Sequence, residues 1–222
     1  MSRPDEPSLL EGLATTRAIR RYRAEPIPDD DLATILFAAS RAPTGTNRQL
    51  FRFLVLRDGE RAGAAKALLG EGFRRGWRSK QADGGFTTDD DSPRARMARS
   101  MQHFVDHFEE TPVVVLACLQ RHRDPNPYEG ASVYPAVQNL LLGARALGYG
   151  GVITMWHQVV ERELRELLAI PDSVAISATV PLGRPQGSHG PVRRRPLGQV
   201  VYDDVWEGPA PWAVEPQDLP RA

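Results

Sequence analysis

The sequence predicts a single α+β domain in which helices cover a layered sheet. Segments with apolar residues at helical spacing outnumber those with strand character, and the two kinds follow one another in a mixed order. No change of composition divides the 222 residues into two separately buried cores, so one domain over 1–222 is expected. A Rossmann fold is disfavoured, because no Gly-x-Gly-x-x-Gly follows a strand and opens a helix.

The helices are predicted where apolar residues recur on one face. Leu9, Leu10 and Leu13 mark the first of them, and the acidic run 29–31 places negative charge where the second begins. Gly148 is positioned to end the most strongly patterned one. The predicted ranges are 7–16, from 29 to near 43, 61–69, 94–110, 132–147 and 161–168.

The strands are predicted from short runs rich in branched and aromatic side chains. The run 113–119 is apolar throughout, which favours burial on both faces and a central place in the sheet. It contains the chain's one cysteine, Cys118, which is expected to be a buried inert thiol; disulfides within the chain are excluded. The other predicted strands are 51–56, 150–155 and 173–182, and an extended segment begins at residue 17.

Two segments lack a regular pattern. The range 72–92 mixes arginines and glycines with an acidic run, and it is predicted to be a variable lid or a mobile segment. Its aromatic residues, together with Tyr128, either form a lid that stacks on a flat ligand or anchor a loop. These aromatic residues are Phe73, Trp77 and Phe86. The range 207–222 is predicted to be a C-terminal tail that need not pack on its own subunit.

Charge and hydropathy narrow the functional classes. The 28 basic and 28 acidic residues balance, so no overall positive field gathers nucleic acid. No apolar run approaches membrane-spanning length, and the first residues do not have the pattern of a signal peptide. A cytoplasmic protein without nucleic-acid or membrane partners is therefore expected.

Two clusters of arginine, far apart in sequence, suit a phosphate-bearing cofactor, because guanidinium groups bind phosphate oxygens in pairs. They are Arg17, Arg20 and Arg21 in one cluster and Arg193, Arg194 and Arg195 in the other. Either cluster alone is more often a solvated surface run. Their occurrence together with the polar loop around Asn47 favours a cofactor held by arginines rather than by a glycine loop.

Other side chains suggest chemistry less strongly. His103 and His107 are four apart on a predicted helix, but no second pair of ligands stands at a useful spacing, so an ordinary amphipathic helix face is favoured and no metal is predicted. His157 either reaches a ligand or satisfies a local hydrogen bond, and the second interpretation is favoured. No serine lies in a nucleophile-elbow pattern, so hydrolase chemistry has no support.

Four stretches of the chain resemble the successive signatures of the nitroreductase family. They are Arg17-Ala18-Ile19-Arg20-Arg21-Tyr22, the element from Ala42 to Gln49 before Phe51, the helix from Ala136 to Leu141, and Arg193-Arg194-Arg195-Pro196-Leu197. Their order and spacing match those of the family. The resemblance spans about Leu13 to Trp206.

The resemblance implies a nitroreductase-like α+β fold, with a central, mostly antiparallel sheet flanked by helices. It also implies a homodimer of the domain-swapped style, with two FMN sites that are each built from both chains. The implied activity is a ping-pong oxidoreductase reaction in which NADH or NADPH is the electron donor. The acceptor would be a small electron-poor aromatic molecule such as a nitroaromatic or a quinone.

The family's cofactor-binding positions transfer to this chain residue by residue. The resemblance places Arg17, Ala18 and Arg20 along the phosphate, the ribityl chain and the pyrimidine edge of FMN. It places Thr44, Asn47 and Gln49 at the isoalloxazine ring. The remaining implied contacts are the turn Gly150-Gly151, which would leave the flavin N5 unobstructed, then Ile153, Thr154 and Met155 along the flavin, and Arg193, Arg194 and Arg195 closing on the phosphate. A guanidinium such as that of Arg20 makes a flavin easier to reduce, because it stabilises the negative charge of the reduced ring. The flavin itself performs the redox step, so no catalytic side chain is predicted.

Two departures from the family pattern leave alternatives open. Thr16 and Ala18 stand where many members have arginine and serine, which removes one charge and one hydroxyl from the phosphate segment. Leu50-Phe51 replaces a Pro-Trp pair. One alternative function keeps the FMN site for a specialised dehydrogenation, dehalogenation or flavin cleavage without efficient NAD(P)H turnover. The other is a binding domain that has lost the cofactor.

Overall fold

The computed structural model describes residues 7–84 and 90–220. Within them the chain forms six α-helices and four β-strands. The helices are α1 (Leu9–Thr15), α2 (Asp29–Ser40), α3 (Glu60–Gly84), α4 (Pro93–Asp106), α5 (Tyr134–Ala146) and α6 (Glu161–Leu168). The strands are β1 (Phe51–Leu56), β2 (Val113–Gln120), β3 (Gly150–Gly151) and β4 (Val174–Gly183).

The strands form one antiparallel sheet in the order β1-β2-β4-β3. β2 pairs with a strand on each side and is buried along almost its whole length, which confirms the central position predicted for it. Burial raises the pKa of the Cys118 thiol to about 11, as expected of an inert cysteine. The predicted α+β fold, an antiparallel sheet flanked by helices, is confirmed.

Two hydrophobic cores lie on opposite faces of this sheet. Val113, Val115 and Ala117 of β2 face the core shared with α2 and α5. Val114 and Leu116 alternate with them and face the core shared with α3, α4 and α6. Because successive side chains of a strand point to opposite faces, one apolar strand can serve both cores.

The helix predicted at 61–69 is much longer in the structure, because α3 continues to Gly84. The glycines that suggested an irregular segment allow close helix packing instead. A Cβ added at Gly72 would lie 3.1 Å from Val160 Cγ2, and one at Gly76 would lie 3.4 Å from the Trp156 ring. Phe73 and Trp77 are buried, so they are anchors in the core. Phe86 lies outside the described residues, and a lid in the range 72–92 stays a prediction.

The strand predicted at 150–155 is shorter in the structure, because only Gly150–Gly151 pairs continuously with β4. Thr154 makes one further isolated bridge, to Thr179. Between them the chain bends out of the sheet at Ile153, which is exposed. The departure from regular pairing turns residues 152–156 into the wall of a cavity.

The segment from Ile19 to Arg23 runs beside the end of the sheet. Its backbone N–H groups at Ile19 and Arg23 donate to the carbonyls of Gly151 and Arg184, at 3.0 and 2.9 Å. The Tyr22 hydroxyl donates to the Ile19 carbonyl at 2.6 Å. These bonds hold Arg20 next to the departing strand. Within the described ranges, no helix has the length and apolar character needed to cross a membrane.

Candidate functional site

A cavity of about 380 Å³ lies between helices α3 and α4 and the chain that leaves β3. Its volume falls within the range of small-molecule sites, and its walls are mainly aromatic and thioether side chains, as such sites commonly are. The lining residues are Arg20, Trp77, Lys80, Met97, Met101, Phe104 and residues 152–156. Of the residues predicted to bind a flavin, this cavity brings together Arg20, Ile153, Thr154 and Met155.

Arg20 supplies positive charge at one edge of this cavity. It is half-buried, and no carboxylate among the described residues pairs with it. Burial lowers the pKa of Arg20, while the neighbouring Tyr22 opposes that effect. An arginine remains protonated in proteins, so a desolvated charge without a partner favours an electron-rich ligand at this edge.

Aromatic residues of α3 and of the 3₁₀ segment Trp156–Val160 form another part of the cavity wall. The Trp77 indole Nε1 donates to Gln102 Oε1 at 2.9 Å, which joins α3 to α4. Lys80 lies over the Trp156 ring, 5.2 Å from its centroid. The sequence interpretation missed the role of this wall, because it assigned these turns of α3 to an irregular segment.

The loop from Thr44 to Gln49 does not reach this cavity in a single chain. Thr44 lines a separate cavity of about 200 Å³, and Asn47 and Gln49 are exposed. Thr46, Asn47 and Gln49 have φ values of 50°, 53° and 51°. Non-glycine residues in this region are uncommon and strained, and they concentrate at functional sites.

The two arginine clusters both lie close to the end of α1. The N–H groups of Gly190 and Val192 donate to the carbonyls of Thr15 and Ala14, at 3.2 and 3.1 Å. Arg17 and Ala18 are exposed where α1 ends. Arg193, Arg194 and Arg195 line an open groove together with Leu10 and Leu13 of α1. The structure thus brings close together two arginine clusters that most of the chain separates in sequence.

Three buried polar atoms in the same region have no hydrogen-bond partner in the described part of the chain: Thr16 Oγ1, Arg145 Nε and His189 Nδ1. His189 Nε2 bonds to the Tyr149 carbonyl at 3.0 Å. Burial lowers the pKa of His189, and the charges of Arg145 and Arg17 lower it further. Buried polar atoms are normally paired, so Thr16 Oγ1, Arg145 Nε and the charges of Arg17 and Arg145 fit an anionic group such as a phosphate. Because Nε2 of His189 donates to a carbonyl, its Nδ1 can donate to an anion only when the ring is protonated.

Sequence reasoning did not find Arg145 or His189. Arg145 stands in the last turn of a patterned helix, and His189 stands in a glycine-containing loop. Neither local pattern indicates a ligand-binding residue, because only tertiary contact brings Arg145 and His189 close to Thr16 and Arg17.

Close packing gives Gly150 and Gly151 a reason to be glycine, and their role in keeping the flavin N5 unobstructed stays a prediction. A Cβ at Gly150 would lie 2.5 Å from Ile19 Cγ1, and a Cβ at Gly151 would lie 2.6 Å from the Pro181 carbonyl oxygen. Both residues are buried in the chain's own packing. They allow the Ile19 segment and β4 to approach β3 closely, and this approach positions Arg20.

His157, His103 and His107 differ from His189 in their surroundings. His157 is fully buried; its Nε2 bonds to the Ile176 carbonyl at 3.0 Å and its Nδ1 to Thr179 Oγ1 at 3.2 Å. This agrees with the local hydrogen bond favoured from sequence. The rings of His103 and His107 stack with centroids 4.2 Å apart. In residues 7–84 and 90–220, no group of three or more candidate ligands is arranged to hold a metal ion.

Comparison with known proteins identifies the family of this chain. The model of the nitroreductase family matches residues 13–184. The chain belongs to the nitroreductase family. The resemblance stated from the sequence motifs is therefore confirmed, and family membership makes the protein an oxidoreductase.

Individual members of the nitroreductase family are similar to this chain over most of its length. A protein of Archaeoglobus fulgidus assigned as an NADH dehydrogenase/NAD(P)H nitroreductase is 30% identical over 184 residues, which cover 80% of this chain and 85% of that protein. The iodotyrosine deiodinase of Thermotoga neapolitana is 28% identical over 199 residues, which cover 87% and 96%. A crystal structure from Desulfovibrio desulfuricans, assigned as a nitroreductase and in complex with FMN, superposes with a TM-score of 0.65 at 27% identity and covers 90% and 99%.

Proposed function

We propose that this nitroreductase-family protein is an FMN-dependent oxidoreductase. It takes a hydride from NADH or NADPH and passes it to an electron-poor aromatic acceptor such as a nitroaromatic or a quinone, in a ping-pong sequence. The observation that carries the proposal is the half-buried Arg20 guanidinium, which no carboxylate of residues 7–84 and 90–220 pairs with and which borders a cavity with aromatic and thioether walls. The FMN complex of the Desulfovibrio relative and the NAD(P)H name of the Archaeoglobus relative support the two cofactors.

Bound FMN supplies the two-electron chemistry, and the chain's own residues prepare the site for it. Arg20 holds a positive charge where negative charge develops on reduction. Trp77, Met97, Met101 and Phe104 keep water from one side of the cavity. The phosphate is assigned to Arg17 and Arg193 to Arg195, with Thr16 Oγ1 and Arg145 Nε adding unpaired buried donors.

We also propose that two copies of the chain complete each site. Arg20 and Met155 line one cavity, while Thr44 lines another, and the two cavities share no lining residue. If Thr44, Asn47 and Gln49 contact the same flavin as Arg20, the loop must come from a second chain. A homodimer satisfies this requirement for both sites at once.

Flavin binding and reduction test the proposal. Purified protein mixed with FMN and freed of excess should remain yellow, and anaerobic NADH or NADPH should bleach it. Arg20→Met should lower the midpoint potential of the bound flavin, Arg20→Lys should restore most of the loss, and Arg23→Met, an exposed arginine of the same segment, should behave as the wild type. Protein that binds no FMN would contradict the proposal and favour a cofactor-less binding domain.

A second candidate uses the same FMN site for reductive dehalogenation of a halogenated phenol. The Thermotoga iodotyrosine deiodinase favours it, because the similarity covers 96% of that enzyme. Iodide release from 3-iodotyrosine, compared with consumption of a nitroaromatic under the same reductant, separates the two functions.

A further inference from the structure

The cavity beside the Thr44 loop gathers three basic side chains from two parts of the chain. Arg48 follows the 3₁₀ turn of the loop, and His122 and Arg123 follow the end of β2. The cavity measures about 200 Å³, and its other lining residues are Thr44, Gly45, Thr46, Leu50 and Ser132. No acidic residue belongs to this lining, so its charge is positive.

The two guanidinium groups are not neutralised by carboxylates. Arg48 Nε donates to Thr46 Oγ1 at 3.0 Å, and neither Arg48 nor Arg123 has an ion pair within residues 7–84 and 90–220. Glu129 lines the adjoining cavity together with His122 and Arg123, and it accepts two hydrogen bonds from Arg121, at 2.7 and 3.0 Å. These hydrogen bonds lower the pKa of Glu129, with smaller contributions from the charges of Arg121 and Arg123. Because Arg121 occupies both oxygens of Glu129, the cavity keeps its positive charge.

Arg48, His122 and Arg123 are exposed side chains that line the same cavity. Desolvation lowers the pKa of His122, and the charges of Arg48 and Arg123 lower it further. Like charges held together without a counter-charge cost free energy, which an anionic ligand would recover. Guanidinium pairs suit phosphate oxygens in particular.

The position of the cavity indicates which phosphate it would meet. Thr44, predicted to face the flavin ring, also lines this cavity, so a ligand held here borders the flavin. A reduced nicotinamide nucleotide must stack its ring on the flavin, and its diphosphate is only one ribose away from that ring. The sequence has no Rossmann fingerprint to hold a dinucleotide, so another element must bind these phosphates.

We propose that Arg48, His122 and Arg123 form the site for the phosphate groups of the reduced nicotinamide nucleotide that donates the hydride. The inference rests on the proposed function, because it assigns one end of the electron donor used there. The diphosphate is common to NADH and NADPH, whereas the 2′-phosphate is present only in NADPH. A comparison of the two donors therefore identifies the phosphate that the site binds.

The test compares phosphate-bearing and phosphate-free donors on the FMN-loaded protein. In Arg48→Met and in Arg123→Met, KM for the nucleotide should rise about tenfold or more, which corresponds to the loss of a charge-assisted hydrogen bond. The rate with 1-benzyl-1,4-dihydronicotinamide, which carries no phosphate, should stay within about twofold of the wild type. A rise for both NADH and NADPH assigns the diphosphate, and a rise for NADPH alone assigns the 2′-phosphate.

The control variant is Arg61→Met, an exposed arginine that does not line this cavity and should change neither donor. Unchanged KM values in both cavity variants would overturn the phosphate site. So would equal losses with the nucleotide and the phosphate-free donor, since that result places the defect at the flavin. If no donor bleaches the flavin bound to the wild-type protein, the proposed function fails as well. If the wild type is bleached and only the variant results disagree, the phosphate site alone fails.

Discussion

His157 and His189 differ in how their ring nitrogens are satisfied, and the difference separates structure from function. Both nitrogens of His157 find partners on β4, the Ile176 carbonyl and the Thr179 hydroxyl. Among the described residues, His189 bonds through Nε2 alone and leaves Nδ1 buried without a partner. A satisfied buried histidine stabilises the fold, whereas His189 beside two arginines can donate from Nδ1 to an anion only when its ring takes up a proton, which a phosphate nearby would favour.

His157 should make the fold sensitive to acid. Burial lowers the pKa of His157 below its usual value of 6.5, so the folded protein keeps it neutral while the unfolded chain takes up a proton. The free energy of unfolding should therefore be highest above pH 6.5 and should fall as the pH drops below it, by up to about 1.4 kcal/mol per pH unit. Urea unfolding of wild type and His157→Gln across this window measures the effect. Glu161 and Arg165 of α6 are the charged groups that act on His157. If the free energy of unfolding depends on pH in the same way in both proteins, the effect does not come from His157.

Arg145 should discriminate between FMN and riboflavin. If its unpaired Nε faces the phosphate, Arg145→Met should weaken FMN binding about tenfold and leave riboflavin binding unchanged, because riboflavin has no phosphate. Fluorescence titration of both flavins gives the two dissociation constants. Equal losses for the two flavins would indicate a structural role, and Arg41→Met, an exposed arginine at the end of α2, is the matched control.

At the scale of elements, close packing decides the conformation of segments that local sequence leaves ambiguous. α3 keeps its helical form through several glycines because Val160 and Trp156 fill the space beside them. β3 is only two residues long, because the chain turns away to line the cavity. α3 and the chain that leaves β3 both border the cavity, so the close packing around these two elements also shapes the site.

A methyl group at Gly151 should disrupt this packing. The added Cβ in Gly151→Ala would lie 2.6 Å from the Pro181 carbonyl oxygen, and a backbone atom within a sheet cannot move away cheaply. The free energy of unfolding should fall by about 1–3 kcal/mol. Gly187→Ala is the control, because nothing lies within 4 Å of a Cβ added there. Equal stability of the two variants by chemical denaturation would contradict the close approach.

At the scale of the whole molecule, a single chain leaves an apolar surface uncovered along its C-terminal part. Trp206 is 83% exposed, and its ring meets the Tyr202 ring edge-on, with centroids 5.1 Å apart. The other large exposed apolar side chains of this part of the chain are Val200, Val205, Trp212 and Val214. Large apolar side chains exposed together in this way are typical of a protein–protein interface.

The proposed homodimer makes a prediction for this surface. Trp206→Glu places a charge in the interface and should shift the protein from dimer to monomer in sedimentation velocity. FMN affinity should fall with it, since the Thr44 loop of the second copy would be lost. Tyr128→Glu alters an aromatic residue that is 77% exposed outside this surface and should leave the dimer intact. A Trp206→Glu variant that stays dimeric and yellow would contradict this interface.

The pattern of the sequence was sufficient for the features that local chemistry controls. The apolar run 113–119 predicted the central strand because it had to be buried on both faces. The arginine motif at 17–21, the loop at 44–49 and the arginines at 193–195 predicted the family, because their order along the chain is itself a signature. The helix boundary at 69 was wrong, because glycine indicates a break only when no neighbouring element packs against it.

The sequence by itself determined the fold class and the family, and it predicted most of the residues proposed to bind the flavin. Only the tertiary structure decided which residues meet: Trp77 and Lys80 in one cavity with Arg20, His189 beside Arg17 and Arg145, and Arg48 in one cavity with Arg123. The physical reason is that periodicity and composition act over a few neighbouring residues. A binding site depends on burial and charge, which arise where distant segments pack together.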